Sequence, residues 1–133
     1  MNDETTDEMR GRMRGLSKSL LRLHKILLDA ERGRYEAANG KVRSTGEMFR
    51  LVLEDSRFAW LRVLSGQIVV IDEFLGSKLP THESDALEIV RATRSLLSFE
   101  GTDENFNRQF QQALHDNLEA AVNHNEALKL SKT

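Results

Sequence analysis

An all-α fold, specifically an antiparallel four-helix bundle with two long and two shorter helices, is what the chain predicts, and three features predict it. Only one proline and eight glycines interrupt 133 residues. Leu, Ala, Glu, Arg and Lys, which lose little on entering a helix, dominate the composition. Apolar residues recur at intervals of three and four over four stretches, the spacing that lines one face of a helix, and the short loops between them imply antiparallel neighbours. A chain of this length buries roughly two-thirds of its unfolded surface, enough for one core, so residues 15–133 read as a single helical-bundle domain.

Residues 1–14, "MNDETTDEMRGRMR", read as a flexible N-terminal arm, with Gly11 and Gly15 breaking any early helix. The first long helix is expected over residues 16–39, where Leu16, Leu20, Leu23 and Leu27 repeat at three and four and Leu21 and Leu28 widen the stripe. "ANGK" ends it, with Gly40 suited to a left-handed C-terminal position. "STGE" opens the second, Ser44 at the N-cap and Glu47 three residues on forming a capping box. That second helix should reach residue 75 with a kink near Asp55, because Asp55 and Ser56 favour caps over helix interiors.

Its later half, "FAWLRVLSGQIVVIDEFL", is apolar around most of its circumference, the mark of a central, buried helix. The β-branched "IVVI" suits a strand, yet no second strand-like segment exists to pair with it. "GSKLPT" is a linker. A third, shorter helix over residues 84–99 carries Ala86, Leu87, Ile89, Val90, Thr93, Leu96 and Leu97. "EGTDEN" turns the chain, with Thr102 or Asp103 as N-cap. The last helix, over residues 104–128, presents Phe106, Phe110, Leu114, Leu118 and Ala121.

The apolar stripes carry polar side chains. At 100° per residue, Glu31 and Tyr35 fall about 20° to either side of His24, with Leu20, Leu21, Leu27 and Leu28 within about 60°. On the second helix Ser65 lies about 20° and Arg62 about 80° from Asp72, among Phe58, Leu61, Ile68, Val69 and Leu75. Where the two long helices face each other, His24, Glu31, Tyr35, Arg62, Ser65 and Asp72 are therefore expected to meet. Burying ions costs several kcal/mol each unless they pair, and Arg62 with five donors can serve both Glu31 and Asp72. Such a network fixes helix register. The same residues make a pocket in which Arg62 anchors an anion and His24 or Glu31 moves protons.

Several classes of function are set aside. Zero cysteines exclude disulfides, thiolate metal sites and thiol catalysis, and point to the cytoplasm. The start has no basic-then-apolar signal pattern, and no apolar run exceeds that of "IVVI", far short of the roughly 20 residues of a membrane span. Net charge −2 with pI near 6.1 draws the chain toward neither nucleic acid nor anionic lipid. "RGRMRG" is basic but lacks aromatic partners. No Glu-x-x-His pair of the di-iron type occurs; His115 and Glu119 stand four apart and read as a solvated pair, so no metal and no cofactor is expected. No phosphate loop or Gly-x-Ser-x-Gly elbow exists. Trp60 reads as core, and His124 as a helix-end histidine bonding terminal carbonyls.

The segments "LLRLHKILLDAERGRYE" and "FAWLRVLSGQIVVIDEFL" resemble a group of small, uncharacterised bacterial all-helical proteins with a Leu-His…Leu-Leu-Asp-x-Glu-Arg-x-x-Tyr-Glu segment and a Phe-Ala-Trp-Leu-Arg…Leu-Ser…Ile-Asp-Glu segment. The resemblance covers the first two helices, about half the chain, and the "NH" at His124. It rests on His24, Asp29, Glu31, Arg32, Tyr35, Glu36, Trp60, Arg62, Ser65, Asp72 and Glu73. Similar proteins carry proline after the arginine, where Val63 stands here, which implies a locally straighter helix. The resemblance brings no activity; it adds weight to these residues. The function expected is contact with a protein partner or homo-oligomerisation, because a small bundle does not cover residues 58–75 alone. The alternative is a small-molecule or anion-binding bundle, catalytic or not, with its site at His24, Glu31, Arg62 and Asp72.

Overall fold

A computed structural model describes residues 2–132. The protein is all-helical, and no strand forms among the described residues. Seven helices follow in order: α1 (Asp7–Asn39), α2 (Thr45–Glu54), α3 (Ser56–Ala59), α4 (Leu61–Leu75), α5 (Glu83–Leu97), α6 (Glu104–Asp116) and α7 (Leu118–Leu130). Helix α1, 33 residues and therefore about 50 Å long, is the spine. Helices α4 and α7 pack along it, α5 touches both, α6 lies on α7 and α2 rests mainly on α3. No described helix is long and apolar enough to cross a membrane.

Leu16, Leu20, Leu23 and Leu27 are buried as their spacing predicts. The stripe nevertheless begins earlier than expected. Residues 7–14 are not an arm but the first two turns of α1, with Met9 and Met13 buried in the core; Met1 lies outside the described residues. Gly11 and Gly15 cost about 1 kcal/mol each in a helix interior, less than two buried methionines return.

The start of α1 is held by a clasp to the α4–α5 linker. The amide of Thr5 donates to the carbonyl of Thr81 (2.9 Å) and that of Glu83 to Asp3 (2.7 Å), making a one-bridge antiparallel pair between Glu4 and His82. The carboxylate of Glu83 accepts from the amide of Thr6 (3.0 Å), the N-cap of α1. It does from another helix what a capping-box glutamate does within one. In return Asp3 accepts from the Ser84 hydroxyl (2.9 Å) at the start of α5. Arg10 closes the clasp on Thr81 (3.1 Å).

The second expected helix breaks into three. Asp55 ends α2 and caps α3, its carboxylate accepting from the Arg57 amide (2.8 Å), so the kink expected there is a full break. Trp60 marks the next. Phe58 and Trp60, about 200° apart on a regular helix, are both buried. Phe58 meets Tyr35 of α1, and Trp60 meets Phe106 and Phe110 of α6. The last expected helix also divides, at Asn117, whose extended backbone and side-chain bond to the Ala120 amide (3.0 Å) start a new helix. "IVVI" is helical, but α4 is not buried all round: Ile68 and Ile71 face the core while Val69 and Val70 are exposed.

At the end of α5 the chain turns through Phe99, whose φ of 61° is left-handed. The amide of Glu100 reaches Ser95 (2.9 Å) and that of Phe99 reaches Leu96 (3.3 Å), a Schellman turn with Phe where Gly is usual. The conformation costs roughly 1–2 kcal/mol. His124 offsets it: its ring stacks on Phe99 at 5.6 Å while Nε2 donates to the Leu97 carbonyl at 2.7 Å. His124 thus serves the terminal carbonyls of α5, not of its own helix.

Replacing Asp3 and Glu83 together by Ala should lower stability by about 1–2 kcal/mol and speed amide exchange at the starts of α1 and α5; unchanged exchange at both ends would dismiss the clasp. His124→Ala leaves the Leu97 carbonyl unpaired and should cost about 1–3 kcal/mol in a denaturant melt, with the loss absent if the turn holds itself.

Candidate functional site

The two elements expected to bring the polar residues together, α1 and α4, do pack along each other. Their register is antiparallel: the Ser17 hydroxyl donates to Asp72 (2.6 Å), and Arg10 reaches the Leu75 carbonyl (3.5 Å). Only one bond joins two of the six expected residues, and it is local: the Ser65 hydroxyl donates to the Arg62 carbonyl (3.3 Å). Asp72 is exposed and spends its carboxylate on Ser17. Arg62 is exposed and donates to the Leu53 carbonyl (2.8 Å), tying the end of α2 to α4. Tyr35 is half-buried against Phe58 (6.1 Å), with the Arg57 guanidinium 5.8 Å over its ring. His24 is half-buried with no hydrogen-bond partner among the described residues.

The expected network therefore does not assemble, and the reason is energetic. Asp72 and Arg62 find partners at the surface, Glu31 pairs with Arg34 away from α4, and His24 stays half-buried, which avoids the several kcal/mol that a fully buried unpaired ion demands. Arg62, about 80° from Asp72 on the wheel, already stood far enough round to turn outward. Ser17 was overlooked, although it sits one heptad before His24 on the same stripe and was legible as a partner for Asp72.

Glu31 alone is buried, at 7% exposure, and it faces α6 rather than α4. Arg34 donates to it at 2.7 Å from one turn on. The pair lines a recess of about 210 Å³ shared with Gln109, Gln112, Ala113 and Asp116. Hydrogen bonds from Gln112 and then His115 hold the Asp116 carboxyl below the usual carboxylate range, helped by the positive charge of His115 and Arg34. His115 and Glu119 do not form the expected pair, because the Asn117 break puts them on different helices. Among the described residues no three His, Asp or Glu side chains converge on a metal position. The recess has two carboxylates, one guanidinium and two amides, but each carboxylate already has a donor, and nothing sets a nucleophile against a base.

Two apolar faces stand exposed. On α2, Leu51 is the one buried residue, Met48 and Val52 are half-buried, and Phe49 and Leu53 project on the far side with 65% and 48% of their surface exposed. Their signal was present: at 100° per residue Phe49 and Leu53 lie about 160° from Leu51, so "MFRLVLE" has two apolar faces, of which the fold covers one. On α7, Leu118, expected on the apolar stripe of the last helix, stands exposed instead with Val122 in the same i, i+4 relation, because the break at Asn117 turns α7 away from the face of α6. Beside them a cleft of about 560 Å³ runs between α1 and α7, lined by Arg22, Lys25, Asp29, Asn117, Glu119 and Asn123 among others.

Compared with known proteins, the chain matches no family model, no curated protein and no solved structure.

Burial holds the His24 imidazole below its ordinary value of 6.5. The unfolded chain then binds the proton more readily than the folded one, so stability falls as pH drops through about 6.5 and levels off below the folded-state pKa. The melting temperature should accordingly be higher at about pH 7.5 than at about pH 5.5, and His24→Gln should narrow that difference. An equal difference in the variant would show that other groups set the pH response.

Proposed function

We propose that this protein is a cytoplasmic antiparallel bundle, its seven helices forming four segments, that acts through contact with another polypeptide and docks through α2. The observation that carries the reading is the exposed Phe49/Leu53 pair. Large apolar side chains at one-turn spacing on an amphipathic helix are the anchors of helix recognition. The absence of cysteine supports the compartment.

Magnitudes constrain the partner. Full burial of Phe49 and Leu53 contributes about 1.5–3 kcal/mol for each side chain. Association costs an estimated 4–15 kcal/mol. One α2 face against a polar surface therefore does not bind, so the partner has to supply apolar surface of its own.

A photoreactive benzoyl-phenylalanine placed at Phe49 of the full chain tests this in cells, with exposed Gln111 on α6 as control. Discrete higher-mass adducts are expected from position 49 and not from 111. No adduct from 49, or the same diffuse labelling from both, would overturn the reading.

A further inference from the structure

From the α2 surface we infer that the polypeptide it binds is a second copy of this chain, paired antiparallel about a twofold axis near Val52; the inference rests on the docking reading above. Arg50 and Glu54 are exposed neighbours of the Phe49/Leu53 pair, and neither makes an ion pair within the chain among the described residues. At 100° per residue both fall on the same flank of the apolar face, about 40° apart. A twofold axis across that face brings like flank to like flank and reverses the chain direction.

The consequence is a self-complementary register. Setting Arg50 opposite Glu54 of the partner subunit centres the pair at position 52, and symmetry sets Glu54 opposite Arg50 of the partner subunit. In that register the side chains of the two copies alternate along the axis, each copy's Leu53 falling between Phe49 and Leu53 of the partner subunit. Sliding one helix by a turn either way instead sets Arg50 opposite Arg50 of the partner subunit or Glu54 opposite Glu54 of the partner subunit. One sequence feature, opposite charges one turn apart beside two apolar anchors, thus satisfies both the packing and the electrostatics. No second protein has to be invoked for the apolar surface that docking requires.

The contact is small. A ten-residue helix is about 15 Å long, and a stable interface buries about 1,200–2,000 Å². The dimer is therefore weak and concentration-dependent. Its closed symmetry separates it from docking of α2 onto the Leu118/Val122 face of α7, a head-to-tail contact that would continue into longer assemblies.

Sedimentation velocity and light scattering on the full chain, from low micromolar to millimolar concentration, give the decisive measurement. Mass should rise from monomer toward dimer and stop there. Arg50→Glu or Glu54→Arg alone places like charges opposite each other twice and should weaken dimerisation about tenfold. The double exchange R50E/E54R restores opposite pairs and should recover it. Both residues are exposed, so circular dichroism and melting temperature should stay unchanged and show that each variant folds. A monomer at every concentration, growth beyond the dimer, or a dimer indifferent to the single reversals would each overturn the pairing. A monomer that still gives adducts to a different polypeptide at position 49 overturns the self-pairing and leaves the docking reading standing. A monomer with no such adduct removes both.

Discussion

One seam organises this molecule: the leucine stripe of α1, which no single neighbour is wide enough to cover. Helix α4 takes one side and α7 the other, both running along the same 33-residue spine. The remaining helices follow from that division. Helix α5 packs on both α4 and α7, with Gln67 of α4 donating to Thr93 of α5 at 2.9 Å. Helix α6 covers the aromatic end, where Trp60, Phe99, Phe106 and Phe110 form a chain of ring contacts. The lateral register of α1 on α4 is set at two edge points, Ser17 to Asp72 and Arg10 to Leu75. Apolar burial supplies the attraction and does not discriminate position along the stripe; directional bonds at the rim do.

The polar residues of this chain are employed mainly at helix ends. Thr6, Ser44, Asp55, Asp103 and Asn117 each accept from an amide in the first turn of a helix. Glu83 caps α1 from outside, Glu47 reaches back to the Arg43 amide (3.1 Å) and Glu36 takes the Val42 amide (2.8 Å) in the α1–α2 connection. These bonds satisfy groups that a helix terminus leaves open and that cost 1–3 kcal/mol when buried without a partner. A carboxylate at such a position keeps contact with water. A carboxylate in mid-core does not, and Glu31 is the single buried case, with Arg34 beside it at the surface.

The same distinction explains what could be read in the sequence. Local chemistry was legible: the all-helical class, the leucine stripe, Ser44 and Asp103 as caps, Gly40 with its positive φ and the break at Asp55. Non-local partners were not. Nothing near Met9 or Met13 announces that the Thr81–Glu83 strand-like segment will clasp the residues before them, so two glycines outweighed two methionines in the reading. Asn117 was misread because "HDNLE" continues the apolar spacing of both flanks, and a cap is distinguishable from an interior asparagine only when its amide partner is known. The six-residue polar cluster failed on geometry of another kind. Helical angle fixes which face a residue occupies, but the rotation of two helices about their own axes decides whether two faces meet, and that rotation is set by packing on third and fourth helices.

Helix α2 is the element for which these constraints are weakest. It is bounded by Gly40 in an extended, positive-φ conformation and by the extended Asp55, and it buries one residue fully while the spine buries nine. Few buried contacts place it at the low end of local stability within the fold, the end from which binding elements are drawn. Its inner face, Met48, Leu51 and Val52, packs against the edge of the core, and its outer face is left to solvent. Beside that apolar contact, one polar bond ties it to the rest of the fold, Arg62 donating to the Leu53 carbonyl of its last turn. Stability alone gives no reason for Phe49 and Leu53 to be apolar, since neither adds to the core. A solvated position tolerates almost any side chain, so two large apolar ones there, flanked by opposite charges at matching spacing, are what the proposed docking surface would account for.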